Sequence, residues 1–471
     1  MGKIWEFSKF GKSTAIADEY GNCITYDTLN YEAQLLAEKV GRRCLVFVLC
    51  RNETGSVLGY AGFVNNGIVP VLLNSRMEGE LLKNLLETYE PSYIWVPQEQ
   101  EAQFPNMKAV YNAYNYTLLD TGYEKDYSLY SELGLLLTTS GSTGSQKFVR
   151  QSYANISDNA QAIVKYLELG ADERPITTLP MNYTYGLSVI NSHFLVGAEL
   201  LVTEKTLMQK EFWSFFKEYE ATSFGGVPYT YEMLDRLNFF RMKLPSLRTM
   251  TQAGGKLLPE LHEKFAKYAE DNGRKFVIMY GQCEATARMG YLPPERAVEK
   301  KGSMGIAIPG GKFSLIDENG TEITRPYTTG ELIYEGKNVT LGYAERGDDL
   351  AKGDERHGIL ETEDMAQFDD DGYYYIVGRK KRFLKIYGNR VSLDEIDQMI
   401  KSRFSIEAAS TGVDDHMYIF VTEEKNADPV RDFVIGKTKL NPAAFKVLVI
   451  DEIPKNDSGK ILYKELTKYY E

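Results

Sequence analysis

Cysteine and histidine are scarce in this sequence of 471 residues, with four of each. The cysteines, at positions 23, 44, 50 and 283, form no Cys-x-x-Cys pair, which argues against a disulfide framework and a thiolate zinc site. The histidines (His193, His262, His357 and His416) are far apart in sequence, so structural or surface roles are favoured over metal binding. A reducing compartment, the cytoplasm, is therefore the expected location.

Long apolar runs and an excess of basic charge are also missing. No run of 18 apolar residues occurs, and the N-terminal MGKIWEFSKFGKST lacks the apolar centre of a signal peptide, so neither a membrane span nor secretion is expected. The net charge of −12 disfavours nucleic acid as a partner, because phosphate backbones attract basic proteins. The length exceeds that of one typical core and predicts two or three domains.

Short apolar strands alternate with helical patterns in the first part of the chain. Strands are predicted near 44–50, 67–74 and 93–97, with helices near 56–66 and 78–90 between them. Such alternation indicates βαβ units and parallel sheets, hence an α/β fold.

After about residue 300 the pattern changes to alternating residues with Asn-Gly and Asp-Gly turns. The stretches KFSLIDENGTEI, GELIYEGKNVTLGYAE and GYYYIVGR are typical of antiparallel hairpins. The basic run 378–390 then precedes a helix predicted to start near Ser392. We place a domain boundary there, with an N-terminal domain over 1–380 and a small α+β C-terminal domain over 381–471.

The stretch TTSGSTGSQK (138–147) consists mostly of Gly, Ser and Thr and ends on a lysine. It follows a predicted buried strand at 133–137 and precedes a helix predicted from Tyr153. A glycine- and hydroxyl-rich turn between a strand and a helix can direct backbone N–H groups at an anion. A flexible linker is the alternative, and the local sequence leaves both open.

Eight motifs follow one another in a fixed order. They are TTSGSTGSQK (138–147), LPMNYTYGL (179–187), TQAGGKL (251–257), MYGQCEAT (279–286), GELIYEGKNVTLGY (330–343), TEDM (362–365), GRKKRFLKIYGNR (378–390) and IPKNDSGKI (453–461). Together they resemble the superfamily of AMP-forming acyl-adenylate enzymes, which includes acyl-CoA synthetases, adenylation domains and firefly luciferase. The resemblance covers nearly the whole chain. It implies a large N-terminal domain of several subdomains, with βαβ sheets and a small barrel-like β region, and a small mobile C-terminal domain.

For the phosphates of ATP, the resemblance implies a binding loop closed by Lys147, which adds a point charge. The loop residues that would hold the β- and γ-phosphates are Thr139, Ser140, Gly141, Ser142, Thr143 and Gly144. Gln146 and Phe148 stand where the family commonly has Pro and Gly.

For the nucleoside, the resemblance implies that Tyr280 and Gly281 lie at the adenine and that Asp364 binds the ribose hydroxyls. Arg379 would lie near the ribose and the α-phosphate. The loop of Gly254, Gly255 and Lys256 would lie against the adenine, where the absence of side chains permits close approach. Glu363 replaces the usual glycine of this motif.

For catalysis, the resemblance implies that Glu284 holds Mg²⁺, a hard cation that suits a carboxylate. Cys283 replaces the usual threonine beside it. Lys460 would contact the substrate carboxylate and the α-phosphate, where charge develops. Lys381 aligns with the hinge about which the C-terminal domain rotates between two half-reactions.

The implied reaction joins an acid to a thiol in two steps. A carboxylate attacks the α-phosphorus of ATP to give acyl-AMP and pyrophosphate, and a thiol then displaces AMP. The acid would bind near Tyr183, Tyr185, Gly186, Val227 and Tyr229; ordinary core packing is the alternative for the apolar ones. No acidic residue in NYTYGLSVINS could pair with an ammonium group, so an acid without an α-amine is favoured.

The thiol is expected to belong to coenzyme A. The alternative is the phosphopantetheine of an acyl carrier protein, for which Lys380, Lys381 and Arg382 offer a basic landing site on a stand-alone ligase. An amino-acid adenylation enzyme, a luciferase-like oxygenase and a non-catalytic nucleotide-binding protein are further alternatives. The sequence does not indicate an oligomeric state.

Overall fold

The structure is a computed structural model that describes residues 3–138, 147–455 and 461–470. The α-helices of these residues are α1 (Tyr26–Val40), α2 (Thr54–Asn65), α3 (Gly79–Tyr89), α4 (Tyr153–Leu167), α5 (Thr184–Val196), α6 (Lys210–Glu218), α7 (Pro228–Arg236), α8 (Pro259–Asp271), α9 (Leu393–Phe404), α10 (Ala427–Thr438) and α11 (Tyr463–Leu466).

The strands of the N-terminal half are β1 (Thr14–Asp18), β2 (Cys23–Thr25), β3 (Leu45–Cys50), β4 (Val69–Asn74), β5 (Tyr93–Pro97), β6 (Lys108–Ala113), β7 (Tyr116–Asp120), β8 (Leu133–Thr138), β9 (Phe148–Ser152), β10 (Pro175–Ile176), β11 (Leu200–Val202) and β12 (Ser223–Gly226). The later strands are β13 (Thr249–Gln252), β14 (Lys275–Tyr280), β15 (Gly290–Tyr291), β16 (Ile306–Ala307), β17 (Lys312–Ile316), β18 (Gly330–Glu335), β19 (Gly342–Ala344), β20 (Ile359–Phe368), β21 (Tyr374–Arg379), β22 (Phe383–Ile386), β23 (Asn389–Ser392), β24 (Ala409–Val413), β25 (His416–Val421) and β26 (Phe445–Val449).

Local sequence explains where several helices begin and end. At the start of α4, the backbone N–H of Asn155 donates to Ser152 Oγ over 3.0 Å, and the Asn155 side chain accepts from the Ser152 backbone. Pro228 begins α7, where a missing N–H costs nothing. Helix α5 ends on Gly197 in the left-handed region.

One sheet of nine strands has the order β16-β15-β14-β13-β12-β10-β11-β1-β2. Its central pairs, from β1–β11 through β13–β14, are parallel. The carboxyl ends of parallel strands meet at one edge of a sheet, and that edge is where loops build binding sites. The predicted parallel α/β architecture is confirmed.

A second sheet has eight strands in the order β19-β9-β8-β4-β3-β5-β7-β6. Strands β8 and β9 are antiparallel, with Thr138 opposite Phe148, so residues 139–146 lie between two paired strands. The expectation that this segment connects a strand directly to a helix is therefore wrong, since β9 precedes α4.

Arg150 explains why the polar segment FVRQS is a buried strand. Its side chain is fully buried and donates to the carbonyl oxygens of Tyr343 (3.0 Å), Leu341 (3.2 Å) and Gly353 (3.1 Å). The guanidinium also pairs with Glu355 at 2.5 Å. These contacts attach β9 to the β19 region, which lies nearly 200 residues later.

The predicted β region is a four-stranded antiparallel sheet with the order β17-β18-β20-β21. The hairpin expected within GELIYEGKNVTLGYAE is wrong, because β18 belongs to this sheet and β19 to the eight-stranded one. Asn338 is the physical reason: it is buried, and its Nδ2 donates to the carbonyl oxygens of Ala285 (2.8 Å) and Arg288 (3.1 Å). The connection thus crosses between sheets instead of turning back.

The C-terminal part carries a two-stranded sheet, β22-β23, and a three-stranded sheet, β24-β25-β26, with α9, α10 and α11. Ser392 caps α9, as expected from the sequence. Two hydrophobic clusters here contain described residues from Leu384 onward. The boundary between 1–380 and 381–471 stays a prediction. No helix within the described ranges is long and apolar enough to cross a membrane.

Candidate active site

Lys147 and Glu284 converge on Tyr343. The Lys147 Nζ lies 4.1 Å from the centre of the Tyr343 ring, and the Tyr343 hydroxyl donates to Glu284 Oε1 over 2.7 Å. Burial raises the pKa of Tyr343 above its ordinary value, and the Glu284 carboxylate adds to this, so the phenol keeps its proton. A cation and a carboxylate therefore flank one aromatic ring, and the cation, Lys147, directly follows residues 139–146 in the chain.

The main chain at Glu284 is held from the β19 side. Its carbonyl oxygen accepts from the backbone N–H of Thr340 over 3.0 Å and from Arg356 Nη1 over 3.1 Å. Gly281 lies so close to the following chain that a Cβ would stand 1.7 Å from the Ala287 carbonyl oxygen. The turn that presents Glu284 thus needs glycine at 281.

A metal at this place would have one protein carboxylate and would take its remaining ligands from elsewhere. Within the described residues, no three His, Cys, Asp or Glu side chains are grouped to hold a metal ion. Mg²⁺ commonly keeps several waters and is bound by one or two carboxylates plus substrate phosphates, so Glu284 beside Lys147 fits Mg²⁺ better than a metal that needs an all-protein cage.

Asp364 lies in a polar cluster with Arg379, Tyr280 and Gln282. Arg379 Nε is 2.7 Å from Asp364 Oδ1, Gln282 Nε2 donates to Oδ2 over 2.9 Å, and the Tyr280 hydroxyl also donates to Oδ2. Strand pairing sets Asp364 directly opposite Arg379. Burial raises the pKa of Asp364, and the Arg379 guanidinium opposes that rise. The two predicted ribose-site residues are therefore adjacent.

Gly254, Tyr183 and Val227 also meet. Gly254 has φ +82°, and a Cβ there would stand 2.7 Å from the Tyr183 hydroxyl and 3.1 Å from Val227 Cγ1. Gly255 lies against Pro228, with 3.1 Å from its Cβ position to Pro228 Cγ. Only a backbone without a side chain fits this conformation and this space.

Gly186 and Tyr229 are two of the residues predicted to lie near the acid. A Cβ on Gly186 would stand 2.3 Å from the Pro180 carbonyl oxygen, so this glycine permits α5 to pack on the chain before it. Its packing indicates a structural role, and its predicted place at the acid stays a prediction. Tyr229 is 56% exposed and does not line an enclosed pocket with Tyr183.

The departures from the family motifs have local explanations. Phe148 is buried in β9, and its ring centre lies 4.8 Å from that of Tyr89, so this position fills a core. Glu363 has φ +58°, a conformation that glycine adopts without strain, and its carboxylate pairs with Lys381 Nζ at 2.6 Å. Cys283 Sγ lies 3.8 Å from the Thr138 carbonyl oxygen.

Several predicted residues lie outside the described ranges. They are Thr139, Ser140, Gly141, Ser142, Thr143, Gly144 and Lys460. Of the others, Lys256 donates from Nζ to the Ile376 carbonyl oxygen over 3.2 Å, which brings the Gly254–Lys256 loop to β21.

Tyr343, Gln282 and Arg356 contact the predicted site residues Glu284 and Asp364, although the sequence did not single them out. Tyr343 closes the motif at 330–343 and Gln282 lies inside MYGQCEAT, so motif membership was the available signal. Beside Tyr343 an open groove of about 550 Å³ is lined by three cations, Arg346, Lys352 and Arg356, and by three carboxylates, Glu345, Asp349 and Glu355. The opposite charges balance, so the groove does not by itself favour an anionic ligand.

The family model described as AMP-binding enzyme matches residues 5–344. A probable CoA ligase of Humulus lupulus is 28% identical over 355 residues, 72% of this chain and 66% of that protein. The 2-succinylbenzoate–CoA ligase of Bacillus pumilus is 26% identical over 461 residues, 93% of this chain and 91% of that protein. The chain thus spans about two thirds of the Humulus relative and nearly all of the Bacillus one.

Solved structures agree with this fold. The o-succinylbenzoate CoA synthetase of Bacillus subtilis with its acyl-adenylate intermediate has a TM-score of 0.79 at 21% identity, covering 99% of this chain and 98% of that one. The same enzyme with ATP and a magnesium ion has a TM-score of 0.77, covering 98% of both chains.

The chain belongs to the AMP-binding enzyme family. The predicted superfamily and fold class are confirmed, and so is the enzyme class of an AMP-forming acid–thiol ligase. The predicted use of ATP, Mg²⁺ and coenzyme A agrees with what these relatives bind.

Proposed function

We propose that this chain activates a carboxylic acid as acyl-AMP and transfers the acyl group to coenzyme A. The observation that carries the proposal is the convergence of Lys147 and Glu284 on Tyr343, next to the cluster around Asp364. Lys147, Glu284, Tyr343 and Asp364 come from four separate motifs. At a nucleotide, the first three would act at the phosphates and Asp364 at the ribose.

For the nucleotide, Asp364 would bind the ribose hydroxyls and Tyr280 would lie against the adenine, with Gly254 and Gly255 close to the base. In the structure described here, Asp364 accepts from three protein donors. The Arg379 side chain is half-exposed. We therefore expect Arg379 to turn from Asp364 towards the α-phosphate when ATP binds, which frees Oδ1 for the ribose.

For the phosphates, residues 139–144 would contribute backbone and hydroxyl donors, and Lys147 a charge. Glu284 would hold Mg²⁺, which would neutralise charge on the leaving pyrophosphate. Tyr343 orients the Glu284 carboxylate through its hydrogen bond and would keep Lys147 at the same place by the contact with its ring.

In the first half-reaction, an oxygen of the substrate carboxylate forms a bond to the α-phosphorus and the bond to pyrophosphate breaks. Lys460 would stabilise the charge that develops between the two reactants. In the second, the sulfur of coenzyme A attacks the acyl carbon, the bond to AMP breaks and the thiol proton is released. Different groups are needed in each half, so we propose that 381–471 rotates about Lys381 between them.

Two ion pairs hold the conformation described here. Lys401 on α9 pairs with Glu232 on α7 at 2.5 Å, and Lys381 pairs with Glu363 at 2.6 Å. The second pair is exposed, and an exposed pair contributes about 0–1 kcal/mol, so this pair opposes rotation only weakly.

Coenzyme A is favoured over a carrier protein by the state of the basic run. Lys380 pairs with Glu331 at 2.6 Å, and Lys381 pairs with Glu363. Arg382 is mostly buried and pairs with Asp394 at 2.6 Å and Asp397 at 2.7 Å. A landing site for an acidic carrier needs free positive charge, which these partners neutralise. A carrier-loading ligase remains the alternative proposal.

The decisive experiment measures acyl-adenylate trapped as hydroxamate over a panel of carboxylic acids, with coenzyme A consumption measured in parallel. Adenylate with coenzyme A consumption supports the proposal. If adenylate forms but the acyl group is transferred only to a carrier protein, the carrier and not coenzyme A is the acceptor. If the protein binds ATP but forms adenylate from no acid, it is a non-catalytic nucleotide-binding protein.

Lys460→Ala tests the catalytic assignment. We expect it to lower adenylate formation at least 100-fold while sparing thioester formation from preformed acyl-AMP, because Lys460 would act in the first half-reaction only. Lys464→Ala, an exposed lysine of α11, is the matched control and should leave both rates unchanged. ATP–pyrophosphate exchange at a near-normal rate in Lys460→Ala would refute the role.

We also propose the cytoplasm as the location, which fractionation of the source cells would test.

A further inference from the structure

Arg288 is a buried cation beneath the proposed acid site. Its side chain is 3% exposed, and the partners that the described residues give to its guanidinium are neutral. Nε donates to Ser188 Oγ and Nη1 to the Tyr166 hydroxyl, each over 3.0 Å, and Nη1 also lies 3.2 Å from Met279 Sδ. A buried charge without a counter-charge is costly, so such an arginine is expected where an anion binds.

His193 on α5 is a second incompletely paired group at the same place. It is 3% exposed, its Nδ1 donates to the Val189 carbonyl oxygen over 2.8 Å, and its Nε2 has no partner within the described part of the chain. Burial, together with the nearby charge of Arg288, lowers the pKa of His193 to about 4. The ring is therefore neutral at pH 7, with an unused lone pair on Nε2.

A cavity of about 20 Å³ joins these two groups between the nine-stranded sheet and helices α4 and α5. Its polar lining consists of Arg288, His193, Ser223, Thr249 and Thr251. A cavity needs about 10–15 Å³ of such volume to hold one water molecule. This cavity therefore has room for one or two water-sized groups, which is comparable with the two oxygens of a carboxylate.

Tyr185 separates this cavity from the proposed acid site. Its hydroxyl is 2.7 Å from Thr251 Oγ1 in the cavity wall, and the Arg288 guanidinium lies 5.3 Å from its ring centre. On the other side, the rings of Tyr183 and Tyr185 are in edge contact, with centres 6.4 Å apart. Tyr183 in turn touches Gly254. The residues from Gly254 to Arg288 thus form one continuous chain of contacts, and the Tyr185 side chain would have to move aside for an acid to reach the cavity.

We propose that the acid is a dicarboxylate whose second carboxylate reaches the Arg288–His193 cavity past Tyr185. This inference rests on the proposed function, since the first carboxylate is the one activated. The second carboxylate would accept from Arg288 and fill the cavity. It would also offset the charge of Arg288, so that His193 Nε2 takes a proton from solvent and donates to the carboxylate. The other groups that line the cavity carry no charge.

The test compares matched acids with the unmodified enzyme. Hydroxamate-trapped adenylate is measured for dicarboxylic acids of increasing length, for the monocarboxylic acids of equal length and for the half methyl esters. We expect kcat/KM for one diacid to exceed that for its monoacid and half ester at least 100-fold, because a site built for a polar group rejects the analogue that lacks it.

Arg288→Met keeps an unbranched stem and removes the charge, and Arg288→Lys keeps the charge. We expect Arg288→Met to reduce the preference for the diacid to less than tenfold, and Arg288→Lys to recover part of it. His193→Leu provides the second variant if Arg288→Met proves unfolded by its thermal transition. It should weaken the preference while leaving the KM for ATP unchanged.

The outcomes separate this inference from the proposed function. Adenylate from monoacids at rates equal to the diacids leaves the ligase standing and shows that the cavity does not select the acid. A preference for the diacid that persists in both Arg288→Met and His193→Leu overturns the assignment of this cavity. No adenylate from any acid overturns the proposed function together with the inference.

Discussion

Gly254→Ala is the perturbation that tests the proposed acid site most directly. Alanine at φ +82° is strained by about 1–2 kcal/mol, because its Cβ crowds the backbone in the left-handed region. The same Cβ would stand 2.7 Å from the Tyr183 hydroxyl and 3.1 Å from Val227 Cγ1, both closer than van der Waals contact. Tyr183, which is proposed to border the acid, would have to shift to make room for this Cβ.

Gly273→Ala supplies the matched control. Gly273 also has a positive φ, +63°, but no atom of the described residues lies within 4 Å of its Cβ position. Gly273→Ala should therefore lose about 1–2 kcal/mol of unfolding free energy in urea denaturation, and Gly254→Ala, which adds close contacts to the same backbone strain, should lose at least as much. Only Gly254→Ala should also lower kcat/KM for the acid at least tenfold, about 1.4 kcal/mol in transition-state binding.

The assay is hydroxamate-trapped adenylate formation as the acid is varied at saturating ATP. If Gly254→Ala and Gly273→Ala show the same kcat/KM for the acid, Gly254 does not border the acid and the proposed location is wrong. If the KM for ATP rises tenfold while that for the acid is unchanged, Gly254 contacts only the nucleotide.

Three further predictions follow from contacts within the described residues. Tyr343→Phe keeps the ring under Lys147 but removes the hydrogen bond to Glu284, so half-maximal ATP–pyrophosphate exchange should require about tenfold more Mg²⁺; an unchanged Mg²⁺ titration would contradict this. Glu363→Gly removes backbone strain at φ +58° and loses only an exposed ion pair, so the unfolding free energy in urea should rise by up to about 1 kcal/mol, whereas Glu363→Gln should not be more stable than the parent. The pKa of His193 is lowered to about 4 in the fold, so the unfolded chain binds a proton first as the pH falls from 6.5 to 4, and the fold loses stability over that window. Between pH 7 and pH 5 this amounts to about 2 kcal/mol, which urea denaturation of His193→Gln should show to be absent; equal losses in both proteins would refute it.

Local apolar patterning predicted the βαβ part of the fold well. The segments near 44–50, 67–74 and 93–97 are strands β3, β4 and β5, and 78–90 contains α3. Each is an apolar run or an amphipathic stripe whose burial needs no particular distant partner. The residues of such a segment are therefore enough to predict its secondary structure.

The features that the sequence did not predict depend on polar contacts between residues far apart in the chain. FVRQS looks too polar for a buried strand, and only the carbonyl oxygens around 341–353 explain why Arg150 can be buried there. Asn338 looks like a turn residue, but its side-chain amide donates to backbone carbonyl oxygens some 50 residues earlier. Tyr343 and Gln282 become site residues only through Glu284 and Asp364, which are distant in sequence.

The motifs located the predicted site residues that the structure describes, but not every detail of their surroundings. Asp364 and Arg379 are adjacent, and Gly254 meets Tyr183 and Val227. The packing of Gly186 against Pro180 is a structural requirement for glycine that the motif did not reveal, and the predicted contact of Gly186 with the acid stays a prediction. A glycine can be required by a neighbour as well as by a ligand.

The burial of Arg150 has a consequence for engineering. Its hydrogen bonds fix strand β9 from behind, through main-chain carbonyl oxygens that no substitution in 139–146 would alter. We therefore expect β9 to keep its register when residues 139–146 are exchanged for the corresponding stretch of another family member. A library confined to 139–146 would leave the contacts of Arg150 in place, whereas a change at Phe148 would alter the core that its side chain fills.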